Sequence, residues 1–279
     1  MILVTGATGH VGGEVARHVL GTGRQLRALV RDAAKANLPE GVSTTVGDLD
    51  DPASLRPALD GVEAVFLLPG YADMPGLLTE FQRVGVSHVV LLSSIAAPDG
   101  DLDNAISRMM IRSEEAVRGS GVAWTILRPS GFMSNTFQWL AQLKVSDVVR
   151  APFPKVPIAM IDPYDIGSVA AEVLGDSAHF GRAYAISGPE PLLPEDRVRV
   201  LGKVLGRDLR FQGQSDAEAR ADMVASGTPP QFIDAFFRYY AEGVGTLDDS
   251  KVSSTVQELL GRPPRTFAQW AAAHAPAFV

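Results

Sequence analysis

The chain contains no cysteine, which removes disulfides, thiolate nucleophiles and cysteine-bound metals and gives no sign of an oxidising compartment. It lacks any apolar run near the ~18 residues of a membrane span. Its apolar start carries no basic flank and breaks at Gly6, so neither insertion nor export is expected and a cytoplasmic location is the default. There is no lysine- or arginine-rich block, and the formal net charge of −7 argues against a direct reader of nucleic-acid phosphates. Repeats and low-complexity tracts are also missing. What is present, 279 residues with 46% hydrophobic and 20% charged, is ample for one large α/β unit or two intimate lobes.

Short β-branched runs alternate with stretches of helical spacing, the pattern of βα units around a parallel sheet. Strands are expected at "MILVT", "QLRALV", "STTVG", "EAVFLL", "HVVLLSS" and "AWTILR", apolar on both faces as covered strands should be. Val11, Val15 and Val19 would form one buried helical stripe, stopped by Gly21 and Gly23. "DDPASLRPALDG" reads as a short helix capped by Asp51 and closed by Gly61. Beyond residue 130, prolines at 152, 154 and 157 separate shorter elements: helices at "DIGSVAAEVL" and "EDRVRVLGKVL", strands at "PIAMI" and "AYAIS". The expected fold class is α/β. A Rossmann-type doubly wound parallel sheet occupies residues 1–150, and a smaller mixed α/β substrate lobe, interleaved with it, occupies 151–279.

The first strand runs into "TGATGHVG", with glycines at 6, 9 and 12, and then opens a helix. Such a turn aims free amides and the helix end, equivalent to roughly +0.5 charge, at an anion, and a dinucleotide pyrophosphate suits it. Gly6 would shape the turn, Gly9 would let the phosphate approach, and Gly12 would let the helix pack closely. At the end of the second strand, 19 residues past Gly12, stands Arg31. A guanidinium there suits a 2′-phosphate, so NADP(H) is favoured over NAD(H). Asp32 competes for the ribose, and Lys35 adds a second cation.

The segments "VTGATGHVG", "LVRD", "VGDLDD", "LLSSIA", "ILRPSGFMSN", "IDPYDIGSVAAEVL" and "GRPPRTFAQWAAA" together resemble the NmrA-like branch of the atypical short-chain dehydrogenase/reductases, over nearly the whole chain. That branch includes NAD(P)H-dependent quinone and dye reductases beside redox sensors that bind cofactor without turnover. The resemblance implies Thr8, Gly9, His10 and Val11 at the pyrophosphate and Arg31 at the 2′-phosphate. It places Asp48 and Leu49 at the adenine, Leu68 and Pro69 beneath the ribose, and Ser93 and Ser94 near the nicotinamide. Phe132, Met133 and Asn135 would line the substrate pocket, although an aromatic and a methionine at this spacing also suit a core.

Conventional relatives shuttle a proton through tyrosine and lysine four apart on one helix. None of Tyr71, Tyr164, Tyr184, Tyr239 and Tyr240 has a lysine four residues on, and "NAISRMMIRSEEAVRG", the helix expected to carry the pair, has no tyrosine. Arg108, Arg112, Ser113 and Glu114 on that helix read as a salt-bridged, solvated face. Without a general acid, the best acceptors are conjugated small molecules such as quinones, iminium dyes and electron-poor alkenes. The expectation is an NADPH-dependent oxidoreductase of such acceptors, the alternative a non-catalytic NADP(H) sensor acting through a protein partner. A sugar epimerase is disfavoured by the missing pair. No metal site is expected. Phe232, Phe236, Phe237 and Tyr240 recur at helical spacing, a stripe that suits a lid over a flat substrate, a core helix or a homodimer contact.

Overall fold

The computed structural model describes residues 1–241 and 248–278; Glu242 and Gly243, which end "PQFIDAFFRYYAEG", lie outside the described residues. The chain begins with β1 (Ile2–Thr5), α1 (His10–Gly21), β2 (Leu26–Val30), β3 (Ser43–Val46) and β4 (Ala64–Leu67). It continues with α2 (Met74–Arg83), β5 (His88–Leu92), α3 (Ala105–Gly119) and β6 (Ala123–Pro129). The later part comprises α4 (Leu140–Leu143), β7 (Val148–Ala151), α5 (Pro163–Val173), β8 (Arg182–Ile186), α6 (Pro194–Leu205) and β9 (Arg210–Gly213). It ends with α7 (Asp216–Ala225), α8 (Pro230–Tyr240), α9 (Thr255–Leu260) and α10 (Phe267–His274).

Seven strands form one parallel sheet in the order β3-β2-β1-β4-β5-β6-β8. The six strands expected from the first half are all there, and "AYAIS" supplies the seventh. The order in which successive strands are added reverses between β1 and β4, which opens a crevice at their carboxyl ends. Val11, Val15 and Val19 of α1 pack with Ile166 and Val169 of α5 and Val256 of α9 on one face of the sheet. Leu77 and Phe81 of α2 and Val117 of α3 cover the other. Residues beyond 150 therefore contribute to the first core through α5, β8 and α9, while Trp139, Val149, Leu201, Phe267 and Trp270 build a separate core.

Three local readings are corrected. "DDPASLRPALDG" forms only a 3₁₀ turn at Pro52–Leu55, and Asp51 makes no side-chain cap. "PIAMI" is not a strand; Ile158 and Ile161 make isolated bridges with Leu192 and Phe132. The second sheet is instead β7 paired in parallel with β9.

Two motifs far apart in sequence lock together. Asp162 caps α5 by accepting from the Tyr164 amide (2.9 Å). Asp165, fully buried, accepts from Arg262 (2.7 Å) and from the Arg265 amide (2.7 Å). The Arg265 guanidinium lies 3.5 Å over the Tyr164 ring. Each charge is paired, as burial requires.

Candidate active site

At the end of β1, Thr5 Oγ1 donates to the Phe66 carbonyl and accepts from the Leu68 amide, both at 3.0 Å, pinning β1 to β4 at the point of reversal. Gly6 follows at φ +63°, a conformation side chains disfavour. A Cβ on Gly12 would lie 2.2 Å from the Gly6 carbonyl oxygen, so the helix start can rest on the turn only without a side chain there. The Gly9 amide is taken by Gly6 and the Gly13 amide by Gly9, both at 2.9 Å. The amides of His10, Val11 and Gly12 precede the first helical bond and have no acceptor among the described residues. No acidic residue occupies the first turn of α1, so the helix end keeps its positive potential.

This turn forms one end of a cleft of about 810 Å³. Gly6, Thr8, Arg31, Asp48, Leu49 and Leu68 line it, brought together from β1, β2, β3 and β4. Arg31 is exposed and makes no ion pair among the described residues. Asp32, its rival for a ribose, accepts from the Ala34 amide (3.0 Å) and pairs with Lys35 (3.2 Å), which commits it to its own turn. Asp48 Oδ1 accepts from the Asp50 amide (3.0 Å), so this carboxylate shapes a turn at the cleft edge. Tyr71 also lines the cleft, a residue the sequence reading did not single out; burial first, then Asp50, raises its phenol pKa. Pro69 is half-buried next to Leu68.

A second cavity, about 210 Å³ and mainly apolar, opens at the carboxyl ends of β5 and β6. Ser93, Ser94, Phe132 and Asn135 are brought together there, and Ile106, Met110, Phe236, Tyr239, Tyr240 and Asp249 join them. Met133 does not. It is buried in the core with Trp139 and Val149 and lines neither space, because the 3₁₀ turn it begins rotates it inward. His10, exposed at the start of α1, stacks on Phe137 at 5.1 Å. In α8, Ile233 and Phe237 fill a small core with Ala219, while Phe236, Tyr239 and Tyr240 face the cavity.

The α3 face differs from expectation. Ser113 and Glu114 are buried, not solvated. Glu114 accepts from Ser93 Oγ (2.6 Å), from Arg128 Nε (2.8 Å) and from Arg118 (3.3 Å). Burial alone would raise its pKa, but the Arg128 and Ser93 hydrogen bonds outweigh that and hold the carboxyl below its usual range. Ser93 is thus fixed from behind. On the opposite wall, the Tyr240 hydroxyl donates to Asp249 Oδ2 (2.7 Å). Burial pushes the Asp249 carboxyl up to about 6, and burial together with Asp249 raises the Tyr240 phenol.

A parallel sheet whose point of reversal carries a glycine turn, uncommitted helix-start amides and an unpaired arginine defines a dinucleotide-binding protein of the doubly wound class. The chain belongs to the NmrA-like family, which matches residues 1–271. It is 42% identical to the (4-alkanoyl-5-oxo-2,5-dihydrofuran-3-yl)methyl phosphate reductase of Streptomyces griseus, over 100% of this chain and 99% of that one. It is 36% identical to the NAD(P)H azoreductase of Xenophilus azovorans, over 100% and 99%. Among solved structures, the NADPH complex of an NADPH-dependent quinone oxidoreductase from Escherichia coli is similar, with a TM-score of 0.80 and 25% identity over 98% of this chain and 99% of that chain.

Proposed function

We propose that this protein transfers hydride from NADPH to a quinone-like or otherwise conjugated small molecule without a tyrosine–lysine proton shuttle. It is an NAD(P)H-dependent oxidoreductase, and NADP(H) is its cofactor. The free amides of His10, Val11 and Gly12, beside Thr8 and Gly9, hold the pyrophosphate, and Arg31 takes the 2′-phosphate. Asp48 and Leu49 border the adenine, Leu68 and Pro69 the ribose, and Ser93 and Ser94 the nicotinamide. When bound, the cofactor supplies the hydride. Ser93, held by Glu114, sets one wall of the acceptor space. Phe132, Phe236 and Asn135 orient a flat acceptor, and the apolar lining keeps water from it.

The reading is carried by one observation: the mainly apolar cavity beside Ser93 and Ser94 meets a helix, α3, that holds no tyrosine. A general acid is worth about 10²–10⁴ in rate, and the cavity's own phenols, Tyr239 and Tyr240 on α8, are made weaker acids by burial, so acceptors that need little protonation as hydride arrives are selected. Relatives named for azo and quinone reduction support this. So does the Streptomyces griseus relative, whose named dihydrofuranone carries both electron-withdrawing carbonyl groups on one carbon of its double bond, which leaves the other carbon electron-poor. The test is NADPH oxidation followed at 340 nm, a property of the cofactor, against quinones, azo dyes and acylated butenolides. Turnover with at least one class is expected. Tight NADP(H) binding with no turnover of any acceptor would overturn the proposal and leave a cofactor sensor.

A further inference from the structure

A third cavity, about 570 Å³, adjoins the acceptor space and shares Gly131, Asn135, Phe236 and Tyr240 with it. Arg197, on the first turn of α6, lines this cavity and is 7% exposed. A guanidinium keeps its charge in proteins, so a buried one ordinarily faces a carboxylate or another anion. Arg197 has none. It makes no ion pair among the described residues, and no described aspartate or glutamate lines the cavity. Its neighbour Asp196 is committed to Arg199 and to the Leu193 amide. Among the described residues, Arg197 Nη1 reaches only the weakly accepting Met160 sulfur (2.9 Å), and Nε has no partner. The guanidinium sits 5.4 Å from the centre of the Trp139 ring, a contact that offsets part of its desolvation without neutralising it. Burial lowers its pKa to about 10, which still leaves it charged at neutral pH. Of the other polar groups on the walls, Ser134, Asn135 and Gln138 can donate hydrogen bonds, whereas the Ser226 and Tyr240 hydroxyls already donate to the Met223 carbonyl and to Asp249.

We propose that this cavity receives an anionic group of the substrate, a phosphate monoester or a carboxylate, on Arg197, while the conjugated part of the same molecule lies in the apolar space beside Ser93. This rests on the oxidoreductase reading and names the substrate class within it. This cavity is not the cleft that Arg31 lines, although His10 at the start of α1 reaches the cavity wall. Arg31 lines the cofactor cleft and not this cavity, and Arg197 lines this cavity and not the cleft.

Calorimetric titration of the NADP⁺-saturated protein with 1-naphthyl phosphate, 1-naphthoate and 1-naphthol tests the assignment; saturation with cofactor keeps the anions away from Arg31 and the α1 amides. At least one of the two anions is expected to bind about tenfold or more tightly than 1-naphthol, and which of them leads distinguishes a phosphate ester from a carboxylate. Arg197→Met is expected to abolish the gap and Arg197→Lys to narrow it, because an ammonium lacks the bidentate fork. Two anions that bind no better than 1-naphthol, or a gap that survives in Arg197→Met, would overturn the proposal. Should Arg197→Met not fold, the wild-type series still decides, and an undiminished gap in Arg197→Lys counts against it. Oxidation of NADPH by uncharged 1,4-naphthoquinone is followed in parallel with the wild-type protein. No turnover there or with any other quinone, azo dye or acylated butenolide defeats the hydride-transfer reading, whereas turnover without any preference for anions in the titration defeats only the role of Arg197.

Discussion

Arg31 and Asp32 show how neighbouring residues of opposite charge are sorted by their local partners. In the sequence the two compete for the ribose end of a dinucleotide. In the structure Asp32 is spent on the Ala34 amide and on Lys35, and Arg31 is left facing the cleft. Replacing Arg31 with alanine is therefore expected to weaken NADPH binding about tenfold and to change NADH binding by less than about threefold, the size of one exposed charge-assisted contact. Paired fluorescence titrations of the two nucleotides measure it, and an equal loss for both would place the 2′-phosphate elsewhere. The glycine turn was legible at this scale because each glycine answers a local steric demand, the positive φ of Gly6 and the contact distance at Gly12. Arg197 was not legible, since an arginine in "PEDRVRV" reads as a surface charge until packing buries it. Tyr239 and Asp249 escaped for a related reason: only the fold brings them to Ile106 and Ser93.

Elements with strong apolar periodicity were read correctly, and those whose pairing depends on distant partners were not. The runs that became β1, β2, β4, β5 and β6 are buried on both faces, which continuous apolar sequence announces. In contrast β7 and β9 carry Arg150, Arg210 and Gln212 within four residues each and pair only because the second core brings them together. The α3 helix was located correctly but its orientation was misjudged, as alternating charges hid that Glu114 points at Ser93 and Arg128. Glu114→Ala would strand Arg128 in a half-buried site with no counter-charge, at a cost of about 3 kcal/mol or more. Glu114→Gln, which can still accept from Ser93, should lose less. Denaturant midpoints of the two variants check the order, and equal midpoints would show that the acceptor retained by glutamine contributes nothing, since both variants lack the charge.

Across the whole molecule, two buried titrations oppose one another. His88 is sealed between Thr125, the Gly175 amide, which donates to Nδ1 at 3.0 Å, and the Phe180 ring. Burial, with His179 and Arg24 nearby, lowers its pKa to about 4. Between pH 6.5 and 4 the unfolded chain binds the histidine proton and the native protein does not, so this group makes stability fall on acidification. Asp249 does the reverse. From its folded value of about 6 down to the unfolded 3.8 the native protein holds a proton that the unfolded chain releases, so its contribution grows as pH falls. Each is worth about 3 kcal/mol at most, and together they leave stability nearly level over this window. Asp249→Asn, which preserves an acceptor for Tyr240, should therefore lose stability between pH 6.5 and 4 where the wild type holds; urea unfolding at both pH values reveals it, and parallel curves would contradict it. The placement of β8 has a consequence for biogenesis. The main sheet cannot close its β6 edge until residues 182–186 have left the ribosome, so a nascent chain of the first 150 residues exposes an unpaired apolar strand. Synthesis of this protein thus includes an interval in which chaperone capture competes with self-association, and it ends only when the late strand arrives.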